Sequence, residues 1–399
     1  MPLDLAQIAA QIEGLAVNLK EQAEEWTARY ELALSLLRTA DTGSLSPKAS
    51  VSKTTWLVAG IASGLREHYA APPCPSEFTV IATDGSHIDV DRHLSVRCSL
   101  INVGKVLMRY GAAPDAVLES EASLLFGDEL MIAGPAGRQE WLEGALLGVR
   151  RSVEELRALV GIAERVPASM PTLALIDGSL ILLGLAARDF DGGRSYVREE
   201  LLDRGFLDAL DRMQRTGKDR ALALVSYISF PRSTEVVNVL RLALCPHEPA
   251  DCDRHCAGEG LRQCDAIAGI QDRHLFQAVL GPGERSPVFV SGSRFAGSHY
   301  GEHQVHFFYV KVDEEIARVE LPQWVAERSE LVDLAHCLIV DQCRRGQGYP
   351  VALMEAHEKA VVTAADRERF WQLVELSLVE ERLAVATSGK RRSKIVRWV

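Results

Sequence analysis

Hydrophobic positions recur along this chain with changing periods. Between residues 3 and 39 they step by three or four: Leu5, Ile8, Ile12, Leu15 and Leu19, then Trp26, Tyr30, Leu34 and Leu37. That spacing predicts one or two helices with a single apolar face, to be packed on the core or on another subunit. Thr42-Gly43-Ser44-Leu45-Ser46-Pro47 reads as a linker, and residues 54–68 as a further helix. From residue 78 the signal turns to strands. Phe78–Thr83, His93–Asn102 and Lys105–Tyr110 are β-rich runs separated by short joints, one of them Asn102-Val103-Gly104, which predicts an antiparallel meander. A long helix is expected over 138–166, a buried strand over 172–177, a helix over 196–214 and another buried strand at Leu222–Ile228. Val305–Val312 and Arg318–Leu321 read as a hairpin joined by Asp313–Ala317. A helix over 328–343 and a strand-turn-helix unit from near Tyr349 complete the pattern. Strands mixed with helices after a meander predict an α/β fold with a mixed sheet. No 20–50-residue repeat points to a solenoid, and no Gly-x-Gly-x-x-Gly opens a helix after the first strand.

Two of the apolar runs end alike. Phe78–Thr83 leads into Asp84-Gly85-Ser86, and Thr172–Ile176 into Asp177-Gly178-Ser179. Each run is apolar on both faces, as in a buried central strand, and each glycine is expected to let the chain turn sharply. Carboxylates at the ends of two core strands can converge and offer oxygen ligands to Mg²⁺ or Mn²⁺. Two Asx-type turns that happen to look alike are the plain alternative.

Composition bounds the setting. The 399 residues hold 47% hydrophobic and 25% charged side chains, ordinary for a globular protein. No apolar run is long enough for a membrane span, and the start lacks a secretory pattern, so the cytoplasm is the expected compartment. A net charge of −11 argues against a general nucleic-acid coat but leaves room for a local basic groove. The tail Lys390-Arg391-Arg392-Ser393-Lys394-Ile395-Val396-Arg397 is one such basic segment.

Three segments carry a resemblance: Ala82-Thr83-Asp84-Gly85-Ser86; Leu175-Ile176-Asp177-Gly178-Ser179-Leu180; and Gly348-Tyr349-Pro350-Val351 leading to Glu355-Ala356-His357-Glu358. In this order they resemble the NurA nuclease family, the DNA-end-resection partner of the HerA translocase, over roughly residues 70–399. The resemblance implies a ribonuclease H-like fold, with residues 1–70 as an N-terminal helical region, 71–387 as the nuclease domain and 388–399 as a basic tail. It implies Asp84 and Asp177 as metal ligands, and an acidic ligand on the helix between them. The family's basic-then-Glu spacing favours Glu154, with Glu155 or Glu143 as alternatives. It implies His357 as a late metal ligand or proton carrier, and Tyr349 as a group that orients phosphate or water. The chain departs from the family where a Gly-Ile-Ser-Lys type segment is usual. Here Ser226-Tyr227-Ile228-Ser229-Phe230-Pro231-Arg232 lacks the lysine, and Arg232 is the residue expected to replace its phosphate contact, although Arg and Lys are not equivalent. Implied activities are 5′→3′ exonuclease and single-strand endonuclease with Mn²⁺. Implied partners are DNA, a HerA-like hexameric ATPase and a second copy in a homodimer.

Cys245, Cys252, Cys256 and Cys264 crowd into 20 residues with His247 and His255. Four thiolates suit Zn²⁺ or a 4Fe–4S cluster, with plain reduced cysteines or a disulfide as alternatives. A structural centre in an insertion near 245–264 is therefore expected. Two other functions fit the same residues: a non-catalytic DNA-processing or scaffold subunit built on a structural metal centre, and a metal-dependent phosphatase.

Overall fold

The computed structural model describes residues 5–91, 96–186, 195–256, 258, 260 and 262–383. The basic tail 388–399 and the stretch 93–95 of one expected strand lie outside the described residues. The chain divides into two compact units: Met1–Ala71 with Ser229–His299 and Gln304–Val319, and Pro72–Ile228 with Tyr300–His303 and Glu320–Val399.

In the first unit the long helix Leu5–Thr39 forms as expected. Its C-terminal half buries Ala33 and Leu37 in a core with Leu45, Val236, Leu240, Phe276, Phe289, Phe307 and Tyr309. Its N-terminal half leaves Leu5, Ile12, Leu15 and Leu19 exposed. The expected linker is itself a helix, Thr42–Val51, because Asp41 caps it by accepting from the Gly43 N–H at 3.0 Å. The helix expected over 54–68 does not form. Gly60 and Gly64 weaken it, and Gly60–Ile61 pairs instead with the strand Phe289–Val290. The expected hairpin has strands Val305–Val312 and Glu315–Pro322. It closes more tightly than expected, with Asp313 in the left-handed region (φ 47°), as a two-residue hairpin turn requires.

Buried charge in this unit is paired. Asp272 is fully buried. It accepts from the Val236 and Val237 N–H groups at the start of helix Glu235–Leu244 (3.1 and 2.8 Å) and from the Tyr309 hydroxyl (2.7 Å). Burial pushes its carboxyl up to about 6, against the pull of those hydrogen bonds. Arg318 pairs with Glu235 at 2.7 Å and lies over the Phe307 ring.

The second unit holds β1 (Phe78–Ile88), β2 (Cys98–Tyr110), β3 (Asp115–Phe126), α1 (Ala145–Ala163), β4 (Thr172–Asp177), β5 (Leu222–Ile228), α2 (Ser329–Arg345), α3 (Val351–Ala360) and α4 (Ala364–Glu380). Its strands run in the order β5-β4-β1-β2-β3. β1, β2 and β3 are antiparallel, and β1, β4 and β5 are parallel. A meander, a crossover helix and parallel strands give the ribonuclease H-like layout expected. The meander is built from different strands, however. Asn102-Val103-Gly104 lies in the middle of β2 rather than at a joint, and the third strand is β3. That edge strand is largely exposed and carries no clean alternation, so periodicity missed it. α1 is shorter than expected because Gln139–Trp141 is a strand and Gly144 (φ 55°) precedes the helix. The helix expected at 196–214 runs from Ser195 to Gly217 through a π-helical stretch, Glu199–Leu207. No strand forms near Tyr349. Gln347 and Gly348 turn at positive φ, and Pro350 opens α3.

Candidate active site

Parallel pairing brings the two Asp-Gly-Ser motifs side by side. Thr83 on β1 is in register with Ile176 on β4, so Asp84 and Asp177 follow as the next residue on each strand. Adjacent strands lie about 4.8 Å apart, which leaves the two carboxylates as neighbours. The glycines differ in what they do. Gly178 has φ 85° and turns the chain after Asp177, as expected. Gly85 makes no turn, since β1 continues to Ile88. It is a gap in the sheet instead: a Cβ there would lie 2.4 Å from Glu155 Oε1 and 2.9 Å from Arg151 Cγ. The side chains of α1 fill the space that Gly85 leaves.

That gap places one of the two helical glutamates beside the aspartates. Glu155 lies over Gly85, with its carboxylate buried and its Oε1 3.0 Å from Arg151 Nε. Glu154, which the resemblance favours, pairs with Arg150 at 2.8 Å and Arg157 at 3.1 Å. One residue along a helix is about 100° of rotation, so Glu154 is carried away from the aspartates. Glu143, the other alternative, lies beside Arg97 at 3.7 Å. The two aspartates and Glu155 feel one another. Burial raises Glu155 to about 7, against the Arg151 charge and reinforced by Asp84 and Asp177. Burial also raises Asp177, opposed by the Tyr349 hydrogen bond and reinforced by Asp84.

Tyr349 and His357 each engage one aspartate. The Tyr349 hydroxyl donates to Asp177 Oδ1 at 2.9 Å, and His357 Nδ1 is 2.7 Å from Asp84 Oδ2. Asp84 Oδ1 accepts from the Gly85 N–H at 2.8 Å. Burial and the Asp177 charge push the Tyr349 hydroxyl well up, so it stays a donor. His357 belongs to the last turn of α3, not the first turns of a final helix, and α4 follows.

α3 reaches the sheet because Gly104, opposite Asp84 on β2, also lacks a side chain. A Cβ on Gly104 would lie 2.1 Å from Ala356 O and 2.7 Å from Ala360 N. The last carbonyls of α3 are then met by the sheet. Asn102 Nδ2 donates to Ala360 O at 2.8 Å and Lys359 O at 3.1 Å, Ser86 Oγ donates to Ala360 O, and Ser120 Oγ donates to Asn102 Oδ1 at 2.8 Å. These bonds satisfy carbonyls that a helix end leaves without partners. Buried Gln342 holds the other end: its Oε1 accepts from Ala352 N at 3.2 Å and its Nε2 donates to Tyr110 OH at 3.1 Å. After Asp177, Glu320 Oε2 accepts from Ser179 Oγ and Leu180 N at 2.8 and 2.9 Å. Asn102, Gln342 and Glu320 carry no motif, and only their burial marks them. Arg232 is exposed and belongs to the first unit.

The donor set fits a hard divalent cation. It consists of carboxylate oxygens whose charges oppose one another, and the buried Glu155 Oε1 meets only the Arg151 charge, without hydrogen-bond geometry. Among the described residues no three His, Cys, Asp or Glu side chains close into a ready-made metal cage. Asp84 and Asp177 are each turned to a side-chain partner of their own.

The expected centre at Cys245, Cys252, Cys256 and Cys264 finds no support. All four are free thiols, and they do not form a metal-holding group. Burial and then the neighbouring Cys252 push the Cys256 thiol up. Hydrogen bonds order this segment instead. Arg241 reaches Cys264 O (2.9 Å) and Asp265 (2.7 Å), Lys48 reaches Cys245 O (2.8 Å), and Cys252 N donates to Lys53 O (2.9 Å).

The NurA domain model matches residues 78–362, a span that includes Asp84, Glu155, Asp177, Tyr349 and His357. Two solved structures are similar at low level. LC9-RNase H1, a type 1 RNase H with the type 2 active-site motif, shares 9% identity over 43% of this chain and 72% of its own, with a TM-score of 0.22. Aquifex aeolicus Argonaute shares 11% over 71% of this chain and 28% of its own, with a TM-score of 0.25. Scores this low carry no argument. Comparison with curated proteins returned no match. Among the described residues no helix is long and apolar enough to cross a membrane. The family match covers most of the chain, which therefore belongs to the NurA nuclease family.

Proposed function

We propose that this protein is a divalent-metal-dependent deoxyribonuclease that hydrolyses phosphodiester bonds in DNA. One observation carries the reading. Asp84 and Asp177 occupy equivalent positions on paired parallel strands, each just after the paired Thr83 and Ile176, and His357 and Tyr349 are each hydrogen-bonded to one of them. Asp84, Asp177 and Glu155 would hold Mn²⁺ or Mg²⁺. Bound cations supply charge to the attacking and leaving oxygens of the phosphodiester. The protein's own groups do the rest. Tyr349 donates a hydrogen bond to Asp177 Oδ1 and so fixes which oxygen remains for other work. With Nδ1 turned to Asp84, His357 leaves Nε2 to act as a ligand or to move a proton at the leaving oxygen. Arg151 offsets part of the carboxylate charge beside Glu155.

The finer reading is 5′→3′ exonuclease and single-strand endonuclease activity with Mn²⁺, in end resection with a HerA-like hexameric ATPase, in the cytoplasm. A net charge of −11 supports a nuclease fed with DNA by a translocase. The exposed Leu5, Ile12, Leu15 and Leu19 support a homodimer through the N-terminal helix. The test is degradation of an end-labelled single strand in Mn²⁺ by the purified protein, with EDTA as control.

A further inference from the structure

The segment that replaces the usual lysine is strained and unusually exposed. Phe230 follows β5 by two residues and adopts φ 47°, a left-handed conformation that a bulky side chain avoids. Glycine or asparagine would hold such a turn at less cost. Yet the ring is 61% exposed, so it does not repay the strain by filling a core. The turn is fixed from outside: Glu315 Oε1 accepts from the Ser229 hydroxyl at 2.7 Å and from the Phe230 N–H at 2.6 Å.

One arginine covers this ring, and a second, Arg232, lies close enough for its charge to act on the first. The Arg273 guanidinium lies 3.5 Å from the Phe230 centroid, covering one face. Burial and then the charge of Arg232 push Arg273 below its ordinary range, with Glu315 opposing. The Arg273 Nη1 is buried with no hydrogen-bond partner. Among the described residues neither arginine has an ion-pair partner, and the nearby Glu315 oxygen is engaged by the turn. Like charges are thus gathered beside an exposed aromatic face with no carboxylate paired to them.

We propose that Phe230, Arg232 and Arg273 form a nucleotide-binding platform for single-stranded DNA. The open face of Phe230 stacks an unpaired base, and the two guanidiniums hold the adjoining phosphate. An unpaired strand offers a free base face beside a phosphate, which a stacked duplex does not. The choice of DNA as ligand rests on the nuclease reading; the platform's chemistry stands on these residues alone. Under this assignment Arg232 does not replace the missing lysine by itself, because Arg273 supplies a second cation from elsewhere in the chain.

Binding of fluorescent dT20 to the full chain in EDTA, read by anisotropy, tests the platform apart from cleavage. Phe230→Gly removes the ring and relieves the left-handed strain. It is expected to weaken dT20 binding by about 5- to 100-fold while Tm stays equal or rises. Phe230→Trp is expected to keep binding. Arg273→Gln and Arg232→Gln are each expected to lower the salt slope of binding by about 0.7. Wild-type-like affinity in Phe230→Gly, or no measurable dT20 binding by the wild type, would overturn the platform. Binding that depends on Phe230 in a protein that cuts no DNA in Mn²⁺ would support the platform and remove the nuclease reading.

Discussion

Gly104→Ala offers a stringent check on how the site is held, because Gly104 itself carries no chemistry. The added methyl would lie 2.1 Å from Ala356 O and 2.7 Å from Ala360 N, both backbone atoms of α3. Ordinary contact begins near 3.4 Å, so α3 must retreat by about 1.3 Å. That retreat stretches the bonds from Asn102 and Ser86 to the last carbonyls of α3. Three hydrogen bonds at about 1 kcal/mol each put the destabilisation near 2–4 kcal/mol. It also draws His357 from Asp84, now 2.7 Å away. Misplacing a catalytic group by ~1 Å costs about 10²-fold in rate. Thermal unfolding measures the first effect, and Mn²⁺-dependent cleavage of a labelled single strand, below the Tm of the variant, measures the second. Gly104→Ala combined with His357→Ala should be no slower than His357→Ala alone, since both act through one contact. A Gly104→Ala protein that cleaves at the wild-type rate would refute the claim that this close approach positions His357.

Glu155→Gln is expected to lower the rate by at least about 10²-fold, as for loss of a charged group at the reacting centre, whereas Glu154→Gln should stay near wild type; equal effects in the cleavage assay would undo the assignment made through Gly85. Tyr349→Phe removes one hydrogen bond to a carboxylate and is expected to cost about tenfold, and an unchanged rate would leave Tyr349 as packing only. Asp272 has a raised carboxyl, so the folded state binds its proton more tightly than the unfolded state; its contribution is fully present below about 3.8 and is lost as pH rises through about 6. The stability of wild type relative to Asp272→Asn should therefore fall by up to about 3 kcal/mol between pH 4 and 6, and denaturant melts showing no such trend would contradict the buried-proton account. Elemental analysis of anaerobically purified protein is expected to find neither zinc nor iron at the four cysteines; one zinc or four irons per chain would reverse that conclusion.

The sequence made some of this legible and hid the rest for identifiable reasons. Strands β1, β4 and β5 are buried on both faces and read as continuous apolar runs. The register that aligns Asp84 with Asp177 could not be read, because pairing is set across the sheet. β3 is an exposed edge strand without a core-facing alternation, and so it passed for a loop. Asp41, which caps Thr42–Val51, sits just outside the segment read as a linker. The choice between Glu154 and Glu155 was out of reach for a local reason: both flank the apolar stripe of α1, and only the gap over Gly85 tells them apart. Asn102, Gln342 and Glu320 act through burial and the carbonyls or N–H groups they meet, and no spacing along the chain announces such contacts.

The central claim is that Asp84 and Asp177 together form the hydrolytic site. Its most direct test is cleavage of an end-labelled single strand in Mn²⁺ by wild type, Asp84→Asn and Asp177→Asn, with folding of each verified by thermal unfolding. The account predicts robust cleavage by the wild type that EDTA abolishes, and loss of cleavage in each folded variant. Near-wild-type cleavage by either variant, or an inactive wild type with a folded chain and Mn²⁺ present, would contradict it.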